Sequence, residues 1–64
     1  MEIVKFYIDV LGGDMCRIVP VDYRTKLWKI AGGGCICSLD VMLSEMQHIQ
    51  KQCAEIGVEA LFEI

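Results

Sequence analysis

Apolar and polar residues recur along this chain with two different periods, and the change from one to the other marks its elements. From residue 38 to 57 the period is helical. Advancing about 100° per residue, Leu39, Met42, Leu43, Met46, Ile49, Cys53, Ala54 and Ile56 fall within one arc of roughly 160°. Asp40, Ser44, Glu45, Gln47, His48, Lys51, Gln52 and Glu55 take the other side. Ser38 suits the N-cap, where its hydroxyl would accept from a free N–H of the first turn. Asp40 places a negative charge where the helix dipole favours it, and Gly57 can adopt the left-handed conformation that ends a helix. Val41 and Gln50 break the pattern, Gln50 by lying inside the apolar arc.

Elsewhere the period is two. Residues 3–11 predict a strand with Val4, Phe6, Ile8 and Val10 on one face. Gly12, Gly13 and Asp14 supply a tight turn, and residues 15–21 return with Cys16 and Ile18 on one face. Pro20 has no N–H for a ladder, so this strand ends there or lies near an edge. Residues 58–64 alternate Val58, Ala60, Phe62 and Ile64 against Glu59 and Glu63.

Residues 22–31 fit either period. A strand over 26–30 puts Trp28 and Ile30 on one face, whereas a helix capped by Asp22 aligns Tyr23, Leu27, Ile30 and Ala31. The strand is preferred, because a third strand stabilises an otherwise marginal hairpin. Gly32, Gly33 and Gly34 read as a flexible hinge before the long helix. The expected fold is a small single α+β domain over residues 1–64. Its order is β-β-β-α-β, with a mostly antiparallel sheet and the helix packed on one face. A right-handed crossover then brings the last strand beside the first and parallel to it.

Composition sharpens this picture. Hydrophobic residues make up 55% of the chain before its six glycines are counted, where roughly 45–50% with glycine included is usual. A domain of 64 residues buries only about 60% of its unfolded surface. The excess apolar content must therefore lie partly outside, which implies a partner. The net charge of −3 is uneven. Lys5, Arg17, Arg24, Lys26 and Lys29 against Glu2, Asp9, Asp14 and Asp22 give residues 1–29 a net +1. Lys51 against Asp40, Glu45, Glu55, Glu59 and Glu63 gives residues 30–64 a net −4. The N-terminus has no signal-peptide pattern, and the longest apolar run is too short to span a bilayer. The expectation is a cytoplasmic protein with reduced thiols, in the host cytoplasm if phage-encoded, with no membrane role.

Candidate chemistry is sparse. Cys16, Cys35, Cys37, Cys53 and His48 invite a metal, but zinc knuckles use C-x₂₋₄-C pairs. Here the one close pair, Cys35 and Cys37, has a single residue between, and Cys16 and Cys53 have no nearby mate. Core cysteines are the preferred reading, with no metal and no cofactor. A thiol- or zinc-dependent protein using Cys35 and Cys37 is one alternative, since those thiols precede a helix N-terminus. The triple glycine lacks the Lys that follows in a phosphate loop. Tyr23, Arg24, Lys26, Trp28 and Lys29 interleave aromatics with cations, which could stack and neutralise nucleic acid. The acidic total charge disfavours it. His48 stands on the polar helix face beside no evident acid or nucleophile, so no catalytic residue is assigned.

The expected function is therefore a non-enzymatic interaction module. By analogy of size and composition with phage and mobile-element inhibitors such as anti-CRISPR proteins, it would sterically block a larger host protein or complex. Its contact residues would be the anchors Tyr7, Tyr23 and Trp28, with Arg24, the unmatched Gln50, and the acidic Glu55, Glu59 and Glu63. The alternative from another class is a self-associating antitoxin-like or regulatory subunit, paired through a strand edge or the Met-rich stripe. Small antitoxin domains with a partial ribonuclease-H fold share the β-β-β-α-β layout.

Overall fold

A computed structural model describes every residue except Tyr23 and Cys35. The period-two segments form strands β1 (Glu2–Gly12), β2 (Met15–Pro20) and β4 (Val58–Glu63). The period-3.6 segment forms the long helix α2 (Leu39–Glu55). Four strands make one mixed sheet in the order β3-β2-β1-β4, with β3 at Ile36–Ser38. β1 pairs antiparallel with β2 and parallel with β4, while β2 pairs antiparallel with β3. The fold is α+β, and β4 runs parallel beside β1 as the crossover argument requires.

Several expectations about the middle of the chain need correction. Residues 26–30 are not the third strand, because Thr25–Ile30 is a short helix, α1. Helical spacing lets Leu27 bury fully while Ile30 and Ala31 pack against the same core. A strand would have turned Leu27 away from Trp28 and Ile30. Nor is Asp22 the helix cap. Its carboxylate accepts the Arg24 N–H at 3.0 Å in the turn that follows Pro20, and Arg24 holds the N-cap position. The third strand is instead Ile36–Ser38, where the sequence predicted no strand. Ser38 precedes α2 as expected but makes no side-chain cap; the Leu39 N–H donates instead to the Asp14 carbonyl at 2.7 Å.

The core lies between the sheet and α2. Val4, Phe6 and Ile8 from β1, Cys16 and Ile18 from β2, and Val58 and Ala60 from β4 meet Ile49 and Cys53 of α2 and Leu27 of α1. Phe6 at its centre is fully buried and tilts against Phe62, with ring centroids 5.6 Å apart. Val10 stays exposed, because β4 stops opposite Tyr7 and leaves the far end of β1 uncovered on that side. Leu11 falls where the β1–β2 register shifts, and the hairpin turns through Gly12 and Gly13.

The triple glycine is a tight turn rather than a loose hinge. All three residues have positive φ, and Gly34 is covered by Trp28: a Cβ there would sit 3.0 Å from the indole Cη2 and 3.6 Å from Val19 Cγ1. Among the described residues no helix is long and apolar enough to cross a membrane.

Candidate functional site

A four-stranded sheet has two edges, and here they differ. β3 is only three residues long, and the rest of β2 on that side is flanked by the glycine turn and α1. β4 is six residues long, pairs with β1 on one side, and has no strand on the other among the described residues. An unpaired edge presents a row of backbone N–H and C=O groups to whatever approaches.

The side chains of β4 alternate as its sequence requires. Val58 and Ala60 are buried and Phe62 half-buried beneath α2, whereas Glu59, Leu61 and Glu63 lie on the opposite face. Glu63 pairs with Lys5 of the neighbouring strand at 3.2 Å, both side chains about half exposed. Glu59 has no ion pair among the described residues, so its carboxylate is uncompensated.

Above this edge the helix offers a flank that nothing covers. The apolar arc of α2 is wider than the strip that the sheet buries. Ile49 and Cys53 are buried, and Leu39, Met42 and Met46 pack partly on the core. Leu43, Gln50 and Ala54, further round towards β4, are exposed, Leu43 to 66%. Gln50 and Ala54 line a groove of about 350 Å³ with Met1, Val58, Glu59 and Ala60. The exposure of Gln50 removes the cost its amide would carry inside the core. Leu43 lies on the same flank, seven residues, or about two turns, earlier.

The structure therefore brings Gln50 and Glu59 together and places Glu63 on the same strand. The remaining candidates are dispersed. Glu55 is five residues, about 140°, round the helix from Gln50, away from the groove. Tyr7 stands on the face of the sheet opposite α2, beside Asp9, Val19 and Ile64. Arg24 is already engaged: its guanidinium donates to both carboxylate oxygens of Glu2, at 3.2 and 2.8 Å, and its Nε lies 2.7 Å from Asp22. These bonds hold its proton more tightly than usual. Trp28 is half-buried over Gly34. Tyr23 lies outside the described residues.

The residues missed at this edge are Leu43 and Leu61. The signal for Leu43 was present in the sequence, in the breadth of an apolar arc too wide for one sheet contact.

Cys16 and Cys53 are core thiols, as the sequence reading preferred. Cys53 is buried, and burial pushes its thiol up. Cys16 does have a mate: it faces Cys37 across β2 and β3, with the two sulfurs 3.6 Å apart. Burial first, then the contact with Cys16, pushes the Cys37 thiol up. Cys35 lies outside the described residues, and among those described no three metal-binding side chains cluster.

Comparison with known proteins gave no match: no family model, no curated protein sequence and no solved structure matches this chain.

Proposed function

We propose that this chain is a non-enzymatic protein-binding module that receives an extended, basic segment of a larger protein along its β4 edge. The observation that carries this reading is the juxtaposition of an open six-residue strand edge with the uncovered flank of α2. Strand addition uses the backbone for affinity and alternate side chains for specificity. A strand laid about 4.8 Å outside β4 points every second side chain into the groove beside Gln50 and Ala54 and towards Leu43. The intervening side chains fall beside Glu59, Leu61 and Glu63. Lys or Arg at those positions complements Glu59, a cross-strand pairing worth roughly 0.2–1 kcal/mol. The module then works by occupancy, as a small inhibitor does, covering a basic stretch that its target needs free.

A second copy fits this edge less well. Antiparallel pairing of two β4 strands about Leu61 sets Glu59 of one against Glu63 of the other, twice by symmetry. Like charges directly opposite are destabilising, and the net charge of −3 adds repulsion.

The test is an isotope-labelled titration by NMR with a capped hexapeptide alternating Lys and Val. The expected result is amide shifts and exchange protection over residues 58–63, with shifts at Leu43, Gln50 and Ala54. They should disappear when Glu replaces Lys in the peptide or in the E59K/E63K variant. Perturbations confined to the opposite sheet face around Tyr7, or none at all, overturn the assignment. A dimer in sedimentation with protected β4 amides would replace the larger partner with a second copy.

A further inference from the structure

The thiol pair Cys16–Cys37 has no part in the reading above and lies at the opposite edge of the sheet. Its placement is a consequence of register. Cys16 and Cys37 are direct cross-strand partners, flanked by the pairs Met15–Ser38 and Arg17–Ile36. Directly opposed residues in an antiparallel ladder have Cα atoms about 4.5 or 5.5 Å apart, depending on the type of pair. Both spacings fall within the roughly 4.4–6.8 Å that a disulfide spans. The sulfurs already touch at 3.6 Å, so closing them to a bond of about 2.05 Å requires side-chain rotation rather than backbone movement. Cys53, by contrast, is a free cysteine buried in α2.

Access to the two thiols is unequal. Cys16 is fully buried, while Cys37 is half-buried on the short edge strand. Cys37 also lines a cavity of about 230 Å³ with Ile36, Ala31, Gly32 and Glu45. A reagent from solvent therefore meets Cys37 first, and Cys16 waits behind it as the resolving thiol.

We infer that Cys16 and Cys37 are an oxidisable dithiol, which a low-molecular-weight disulfide converts to a cross-strand disulfide clasping β3 to β2. In the first step the Cys37 thiolate attacks one sulfur of the reagent, whose S–S bond breaks and releases one thiolate. Cys16 then loses its proton and attacks the Cys37 sulfur of the mixed disulfide, releasing the second thiolate. Two protein thiols are oxidised, and one external disulfide is reduced to two thiols. The bond closes a loop between residues 21 positions apart, which contains α1 and the glycine turn. Constraining a loop of that length stabilises the fold, so the expected rise in Tm is on the order of 10 °C for a domain this small. The first step needs thiolate, and the neighbourhood of Cys37 favours thiol. Its rate should therefore keep climbing as pH rises past neutral.

The experiment incubates the full chain and its C35S variant with oxidised glutathione over a series of pH values. Non-reduced peptide mapping and thermal melts follow. C35S leaves only Cys16, Cys37 and Cys53. The expected product in both chains has lost two hydrogens, links Cys16 to Cys37, leaves Cys53 free, and melts higher until reduced. A glutathionyl group that stays on Cys37 overturns the inference, as does a link from Cys37 to Cys53 or Cys35. So does a chain that keeps all its thiols at a pH where a model peptide thiol is fully oxidised.

Discussion

The two edges of this sheet are built on opposite plans. At the β3 edge the strand is short, a helix and a glycine turn flank what it leaves uncovered, and two thiols face each other across the ladder. At the β4 edge the strand is twice as long, and its outer face carries Glu59, Leu61 and Glu63. Natural sheets protect their edges with short strands, covering elements or inward charges. One edge here follows that rule and the other does not. That asymmetry is the ground on which contact with a partner is proposed at β4 rather than at β3.

The two edges should differ most in stability, since α1 at the protected edge holds a fully buried side chain whereas the outer face of β4 does not. Leu27 is α1's one fully buried side chain, 1% exposed, whereas Leu61 on β4 is 45% exposed. Leu27→Ala should cost about 2–5 kcal/mol, which leaves little of the roughly 3–5 kcal/mol that a core of this size supplies. Leu61→Ala should stay within about 0.5 kcal/mol. Urea unfolding of both variants checks this. Comparable losses would mean that the outer face of β4 is packed as tightly as the site of Leu27.

Next in size is a contrast between two glycines. Gly34 and Gly57 share a φ of +78°, but a Cβ at Gly34 meets the Trp28 ring at 3.0 Å while one at Gly57 meets nothing within 4 Å. The left-handed conformation costs an L-residue roughly 1–2 kcal/mol at either site. Gly34→Ala adds a clash that the indole must relieve, typically about 1–3 kcal/mol more. Melting curves should rank Gly34→Ala below Gly57→Ala. Equal losses would show that Trp28 does not hold the glycine turn in place.

These contrasts also show what the sequence made legible. The strands around Phe6, Ile18 and Ala60, the helix from Leu39, the turn at Gly57 and the parallel placement of β4 all follow from period and punctuation. Residues 25–30 did not, because a six-residue helix and a five-residue strand contain too few positions to separate the periods. Choosing between them depended on whether Leu27 or Trp28 would be buried, which only the assembled core decides. The strand at Ile36–Ser38 was hidden for a related reason: three residues carry no period at all. Once that strand was missed, so was the mate of Cys16, since proximity across a ladder leaves no trace in spacing. At the open edge, Gln50 was legible as an oddity of pattern and Glu59 as one of the acidic residues of the C-terminal half. That they line one groove follows from which flank of α2 overhangs β4.

A smaller effect belongs to the buried thiols. Cys53 and Cys37 lose their protons at higher pH in the folded chain than in the unfolded one, chiefly through burial. The stability they contribute is therefore present below the ordinary thiol pKa. It is lost as pH rises through that value towards the raised one, because the unfolded chain ionises first. Folding free energy should fall as pH rises past about 8.5, the ordinary thiol pKa, measured by urea unfolding under reducing conditions. The slope should flatten in Cys53→Ala whatever that variant's absolute stability. A slope unchanged by the substitution would assign the alkaline loss to other groups.

The smallest effects should lie at the open edge itself, and their smallness is what identifies it. Glu63 and Lys5 are paired at 3.2 Å but about half exposed, and such a pair contributes roughly 0–1 kcal/mol, less as salt rises. Glu63→Gln should therefore shift unfolding by a few tenths of a kcal/mol at low ionic strength and by nothing measurable at high. Glu59→Gln, with no ion pair among the described residues to lose, should leave stability unchanged in both. If either carboxylate proves to stabilise the monomer substantially, it is structural, and the edge is better protected than its geometry suggests. If both are dispensable for folding yet needed to hold a basic strand, their charge serves a contact that the isolated chain does not make.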